Sequence, residues 1–418
     1  MDQKILFITV IFNLIIWIYL LVFRGKFWLA DQQLLSTSET EIENREHWPS
    51  IYVIIPARNE EKLLGITLNS LLNQDYLGRL KIILVDDHSK DNTVNIANFL
   101  AQQGHNYTKL EVISALDLPS GWTGKLWAIN QGINYAKKQI PAPDYFLLTD
   151  ADIEHFSTNI RQLVVKAEQE NLALVSLMVK LQCETIAEKL MIPAFVFFFQ
   201  KLYPFKWVNN PGNTTAAAAG GCILIRHQNL DEVGGIEVIK NALIDDCALA
   251  KAVQQKSTNK KIWLGLTNET RSRRSYPDLM SIWNMVARTA FTQLNYSPFL
   301  LVVTVIGMKL VYLIPSLGII LGVIFGWWPV VAIALLARLL IFLAYLPIIR
   351  FYRLSPIYAM SLPTVALIYI LITIDSAWRH WRGRGGYWKG RVYTSKFLIN
   401  YIKYSSIKKD IFYKLSLY

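Results

Sequence analysis

The sequence predicts an α/β domain with a mostly parallel sheet, flanked by apolar helices near both ends of the chain. Three observations carry that reading. From residue 51 to about 266, short apolar runs alternate with helical patterns, as in strands joined by crossover helices. Residues 5–23 are almost continuously apolar, interrupted only by Thr9 and Asn13 and free of charge. Three more apolar runs, near residues 299–327, 329–349 and 356–374, fill the C-terminal third.

Each element has a local reason. Residues 51–55 read as the first strand, ending in Pro56-Ala57-Arg58-Asn59-Glu60-Glu61. Asn59 suits an N-cap, and Leu63, Leu64, Leu68, Leu71 and Leu72 give the helix that follows its apolar face. Residues 80–85 form a second strand that delivers Asp86 and Asp87, and a helix starts near Asp91. Residues 112–114 make a weaker strand before the loop Gly121-Trp122-Thr123-Gly124-Lys125. A helix from about Leu126 leads to the strand that ends at Asp150.

The chain has 418 residues, enough for a large core plus extra segments, and its 53% hydrophobic fraction exceeds that of soluble domains. The first apolar run is long enough to span a bilayer, and Arg24 and Lys26 follow it where a cleavable leader would be neutral. It reads as an anchor over residues 1–26, with the cationic side in the cytoplasm. Residues 27–47 are a polar linker, 48–296 the main domain, 297–377 spanning or re-entrant helices, and 378–418 a basic tail. The expected location is the inner or plasma membrane, multi-pass, with a cytoplasmic domain.

From Arg379 onward there are ten Lys or Arg and one acid, Asp410. Beside membrane segments this charge points to anionic lipid rather than nucleic acid. Lys396, Lys403, Lys408, Lys409 and Lys414, interleaved with Phe397, Ile402, Ile407, Ile411 and Leu415, suit an interfacial helix. Three full crossings in the C-terminal third would put this tail outside, against the positive-inside rule, so Pro356 and Pro363 mark the last segment for re-entry. The aromatic stretch at 191–208 is too short to span and suits a helix at headgroup level, with a buried core helix as the alternative. Lys309, Arg338 and Asp375 lie in or beside apolar runs, where Arg338 and Asp375 could pair. Cys183, Cys222 and Cys247 show no paired spacing and read as core thiols.

Carboxylates where strands leave a parallel sheet sit at the edge where α/β folds bind ligands. Asp150-Ala151-Asp152 suits a divalent cation, Mg²⁺ or Mn²⁺, held against a diphosphate. Asp86, Asp87, Asp150 and Asp152 read equally as turn or N-cap residues when taken singly, and His155 as a structural histidine or a metal contact. Gly121–Lys125 offers amides and one ammonium to a diphosphate without being a Walker loop. Gly220-Gly221-Cys222 permits close approach to a sugar or acceptor, or is a turn into a strand.

In this order, Pro56-Ala57-Arg58-Asn59-Glu60-Glu61, Val85-Asp86-Asp87-His88-Ser89, Asp150-Ala151-Asp152 and Asp245-Asp246 resemble the family 2 glycosyltransferases of the Rossmann-like GT-A fold. Gly121–Lys125, residues 220–226 and residues 243–250 are similar to the hopene-associated subgroup, and carotenoid glycosyltransferases look alike around Gly121–Lys125. The resemblance implies that Pro56, Arg58, Glu60, Asp86, Asp87, Lys125, Asp150 and Arg288 hold a nucleotide sugar, a uridine diphosphate sugar being the expected donor. It implies that Asp152, with Asp150, ligates the metal and that Gly220, Gly221 and Cys222 meet sugar or acceptor. Asp246 matches the catalytic base of an inverting transfer, and Asp245 beside it raises its proton affinity.

One departure bears on the acceptor. Processive relatives carry Gln-x-x-Arg-Trp, and Met285-Val286-Ala287-Arg288-Thr289 keeps only the arginine. That favours a single transfer to a lipid, hopanoid-related by resemblance. A carotenoid or glycerolipid transferase, a polysaccharide synthase and a non-catalytic membrane scaffold are the alternatives.

Overall fold

A computed structural model describes residues 2–34, 47–103, 106–388 and 391–392. The expected tail helix and most of the polar linker lie outside the described residues. The α/β core is an eight-stranded sheet in the order β3-β2-β1-β4-β7-β6-β8-β5. Its strands are β1 (Ile51–Ala57), β2 (Leu80–Asp86), β3 (Leu110–Ser114), β4 (Tyr145–Thr149), β5 (Ile153–His155), β6 (Leu174–Lys180), β7 (Cys222–Arg226) and β8 (Ile262–Ser272).

The sheet is mixed, with four parallel pairs, β6–β8 among them, and three antiparallel ones. β3, β2, β1 and β4 run parallel, as the alternating pattern predicts. β7 then runs antiparallel to both β4 and β6, and β5 antiparallel to β8. Strand direction leaves no trace in a short apolar run, because both kinds of buried strand read alike.

β4 and β5 are joined by Asp150–Asp152 alone, yet they stand four interstrand spacings apart in the sheet order. A flat sheet would separate them by about 19 Å. The short connection reaches about 14 Å at full stretch. The sheet therefore curls, and its far edge returns to the end of β4. Asp152 gains its position from that closure.

Asn59 does not cap a helix. It has a φ of 53°, its side chain accepts from the Lys90 amide at 2.8 Å, and the helix begins at Leu64. Asparagine tolerates this left-handed conformation better than most residues do.

Four helices are long and apolar enough to cross a membrane: Gln3–Phe23, Pro298–Ile324, Trp328–Phe351 and Pro356–Trp381. The second contains a π turn at Lys309–Leu313. Such a turn frees carbonyl groups that hydrocarbon cannot satisfy. Asn13 and Trp17 of the first helix donate to Val311 O at 3.1 and 2.8 Å, which accounts for a polar residue inside an anchor.

The aromatic stretch forms the helix Ile186–Leu202, opened by a capping box between Thr185 and Glu188. It is the joint between sheet and apolar helices. Phe197 packs on Phe27 and Tyr345, and Phe198 on Tyr312 and Tyr369.

Arg338 and Asp375 do not pair. Arg338 donates to Met360 O at 2.8 Å, whereas Asp375 accepts from Trp283 Nε1 at 2.6 Å and pairs with Arg379 at 2.7 Å. The C-terminal carbonyl of Phe351 accepts from Lys180 on β6 at 3.2 Å. Both helices thus end against the α/β domain. Met360 meets Arg338 about 20 Å back along its helix from Phe351, at 1.5 Å per residue. The segment between them doubles back along the helix it has just left.

Candidate active site

The parallel half of the sheet sends the ends of β1, β2 and β4 to one edge, where Pro56, Asp86 and Asp150 emerge. Antiparallel β7 brings its beginning to that same edge, with Cys222 opposite Thr149. Gly220 and Gly221 therefore lie beside Asp150. The first turn of the helix Asp245–Lys256 closes over them and brings Asp245 and Asp246.

Lys125 stands at the centre. Its Nζ lies 2.9 Å from Asp150 and 3.1 Å from Asp245. Against the cost of burial, these two carboxylates hold the ammonium well above its ordinary range. Asp246 accepts from the Gly220 amide at 2.9 Å and from the Cys247 amide at 2.7 Å. Burial and the adjacent Asp245 push Asp246 up to about 6, against the pull of Lys125. Burial also raises Asp150.

A second cation faces the first. Arg274 donates through Nε to Asp152 at 2.6 Å and through Nη2 to Glu60 at 2.9 Å. Glu188 accepts from the Tyr276 amide at 2.6 Å, fixing the loop that carries Arg274 to the joint helix.

These groups line a cavity of about 520 Å³. Pro56, Glu60, Lys125, Asp150, Asp152, Gly220, Gly221, Asp245, Asp246 and Arg288 all border it. Its other wall is apolar: Leu181, Phe195, Phe199 and Met285. Arg58, Asp86 and Asp87 stand apart from this lining, further along the sheet edge. Arg58 donates to Asp87 O at 2.6 Å, and Asp86 accepts from the Ser89 amide at 3.3 Å.

One expected contact, Cys222, turns away, and His155 takes its structural reading. Cys222 is fully buried within β7 and does not border the cavity. His155 is buried between Thr149 and Asn159, at 3.0 and 2.9 Å, and burial pushes its imidazole down to about 3. It braces the end of β4 and does not border the cavity.

Among the described residues no three His, Cys, Asp or Glu side chains are grouped to hold a metal unaided. Asp150 and Asp152 nevertheless present hard oxygen donors to one cavity. Mg²⁺ is commonly held by one or two carboxylates together with substrate phosphates, and this donor set fits that pattern.

Sequence reasoning missed Arg274, Tyr276, Phe195 and Phe199 as lining residues. The only trace of Arg274 was the run Arg271-Ser272-Arg273-Arg274 directly after an apolar strand.

Residues 52–234 match the model of glycosyl transferase family 2. A 4,4'-diaponeurosporenoate glycosyltransferase of Staphylococcus haemolyticus (strain JCSC1435) is 33% identical over 130 residues, 31% of each chain. A probable glycosyltransferase, YdaM, of Bacillus subtilis (strain 168) is 35% identical over 91 residues, 22% of this chain and 21% of that one. The matches thus span under a third of these relatives' own lengths. A mannosyltransferase from Pyrobaculum calidifontis, solved with GDP-Man and Mn²⁺, aligns over 90% of this chain and 99% of its own, with 14% identity and a TM-score of 0.49. Asp245, Asp246, Arg274 and Arg288 fall beyond the family match. The family match, from Tyr52 to Gly234, takes in Asp86, Asp87, Asp150, Asp152 and Gly220.

Proposed function

We propose that the protein is a membrane-bound glycosyltransferase that moves a sugar from a nucleoside diphosphate sugar to a lipid hydroxyl. The observation that carries this reading is the two-sided cavity. One wall holds Asp246 among paired charges, and the other is Leu181, Phe195, Phe199 and Met285. A sugar donor suits the first wall and an apolar acceptor the second.

In this reading Asp86 and Asp87 accept hydrogen bonds from base and ribose, as carboxylates do from imide and hydroxyl donors. A uracil base fits that role. Lys125, Arg274 and Arg288 face the diphosphate. Asp150 and Asp152 would hold Mg²⁺ or Mn²⁺, which when bound offsets charge developing on the leaving nucleoside diphosphate. Asp246 takes the proton from the acceptor hydroxyl. Its raised proton affinity suits a base working near neutral pH. Attack from the face opposite the leaving group inverts the anomeric centre in one displacement.

We place the α/β domain on the cytoplasmic face, where Arg24 and Lys26 follow the first apolar helix. Within the lipid class a hopanoid or another polycyclic or polyisoprenoid alcohol is the acceptor we favour. The names of several relatives support a diapocarotenoid acid as the second reading. A carboxylate acceptor is already ionised at neutral pH and needs no base, so the two differ in their dependence on Asp246.

Mass spectrometry of lipid extracts from cells with the natural chain or Asp246→Asn tests the proposal. Loss of a hexose- or N-acetylhexosamine-sized addition from one lipid identifies acceptor and sugar class together. Identical lipid profiles, with the variant protein present in the membrane, would rule out the lipid hydroxyl as acceptor.

A further inference from the structure

Lys180, Arg271 and Arg353 meet where the helix Trp328–Phe351 reaches the α/β domain. Lys180 and Arg271 are paired positions on β6 and β8. Lys180 Nζ donates to Asn268 Oδ1 at 2.8 Å and Phe351 O at 3.2 Å, and it lies 5.2 Å from the centre of the Phe351 ring. Arg271 lies 5.0 Å over Phe156 and donates through Nε to Asn268 O at 3.1 Å. Arg353 is exposed, and its φ of 57° turns the chain out of the helix.

Glu154, opposite Arg271 in the register of β5 and β8, and nearby Asp152 are already engaged. Glu154 pairs with Arg273 at 2.6 Å, and Asp152 with Arg274 at 2.6 Å. Burial and the charges of Arg271 and Arg353 push the Lys180 ammonium below its ordinary range. The helix end contributes about half a negative charge, which offsets about half of one of these cations. Among the described residues none of the three cations forms a salt bridge, Glu154 opposite Arg271 and Glu269 before it being engaged by Arg273 and Gln162, and together they define a place for an anion.

We propose that Lys180, Arg271 and Arg353 bind the phosphate of an anionic phospholipid headgroup. A lipid is favoured over a soluble phosphate because the adjoining doubled-back segment exposes Ile357 and Met360, at 67% and 59%. That offers apolar surface to an acyl chain on the segment that follows Arg353. The inference rests on the membrane placement proposed above and adds a lipid that is not the acceptor.

The test uses the full-length protein, incorporated into nanodiscs of equal phosphatidylcholine and phosphatidylglycerol and then released into mild detergent. Native mass spectrometry counts the lipids retained. Phosphatidylglycerol should exceed phosphatidylcholine, and the Lys180→Gln/Arg353→Gln pair should lower the excess by roughly fivefold per cation removed. The charge-matched pair Lys138→Gln/Lys256→Gln, both exposed in the α/β domain, should keep it, and melting curves in the same detergent confirm that both pairs are folded. No phosphatidylglycerol excess, or equal loss in both pairs, overturns the site. Stabilisation by inorganic phosphate without phosphatidylglycerol excess overturns the lipid assignment in favour of a soluble phosphate. Failure to incorporate into nanodiscs would instead overturn the membrane placement itself.

Discussion

The backbone amide of Gly220 donates to Asp246 Oδ2 at 2.9 Å, joining the start of β7 to the first turn of the helix Asp245–Lys256. The bond aims the carboxylate across the cavity mouth. A methyl group on Gly220 would stand 3.4 Å from that same oxygen and 3.3 Å from Lys125 Nζ. Gly220→Ala should therefore shift both groups without unfolding the domain. We expect kcat to fall about tenfold, equivalent to about 1.4 kcal/mol in the barrier, with an unchanged melting temperature.

Removal of the proposed base is a larger change. Asp246→Asn should lower kcat by about two to four orders of magnitude, the usual contribution of a general base. Asp246 is held up at about 6, and only its ionised form accepts a proton. In the natural protein kcat/KM should then rise with pH and level off above about 6. The variant should lose that limb. A limb retained at the same pH in the variant would assign it to another group.

Asp152 is shared between Arg274 and the proposed cation. Asp152→Asn should raise the concentration of Mg²⁺ or Mn²⁺ needed for half-maximal activity at least about tenfold. Chelation should abolish transfer by the natural protein, and added Mg²⁺ or Mn²⁺ should restore it. A variant with unaltered metal dependence would remove Asp152 from the ligand set.

Trp283 belongs to the helix Leu279–Ala287, which lines the cavity through Ser281, Asn284 and Met285. Its indole donates to Asp375, and Arg379 donates to Asn284 at 2.7 Å. Two bonds thus hang the cavity wall on the last apolar helix. Asp375→Ala should raise the KM for a lipid acceptor more than that for the nucleotide sugar. Steady-state kinetics with each substrate varied in turn gives the comparison.

The doubled-back segment predicts the side on which the chain emerges. A cysteine introduced at Arg384 should react with an impermeant thiol reagent from the same side as one at Lys138 in the α/β domain. A tag before the first apolar helix should be reached from the opposite side. Labelling of Arg384→Cys from the tag's side would require a full final crossing.

Much of this was legible in the sequence. Strands β1, β2 and β4 announce themselves as apolar runs ending in Pro56, Asp86 and Asp150, because a buried parallel strand must be apolar on both faces. The carboxylates follow directly. The antiparallel course of β7 was invisible, since it depends on pairing between residues some seventy positions apart. Arg274 escaped for a related reason. Its neighbours Glu60 and Asp152 are distant in sequence, and only the curl of the sheet brings them together. Arg338 and Asp375 were correctly seen as unusual; Arg379, four residues after Asp375, is a partner that the charge pattern offers, whereas the Met360 carbonyl and the Trp283 indole are not.

The cavity is divided along the chain as well as in space. Lys125 and Asp150 come from the family-matched stretch, whereas Asp245, Arg274, Met285 and Arg288 come after it, and the two contingents touch through Lys125. In the proposed reaction each contingent serves both substrates: Arg274 and Arg288 join Lys125 at the diphosphate, and Phe195 and Phe199 of the earlier stretch join Met285 on the acceptor side. Neither stretch can then drift in preference without the other, and an engineer seeking new acceptors has to vary both.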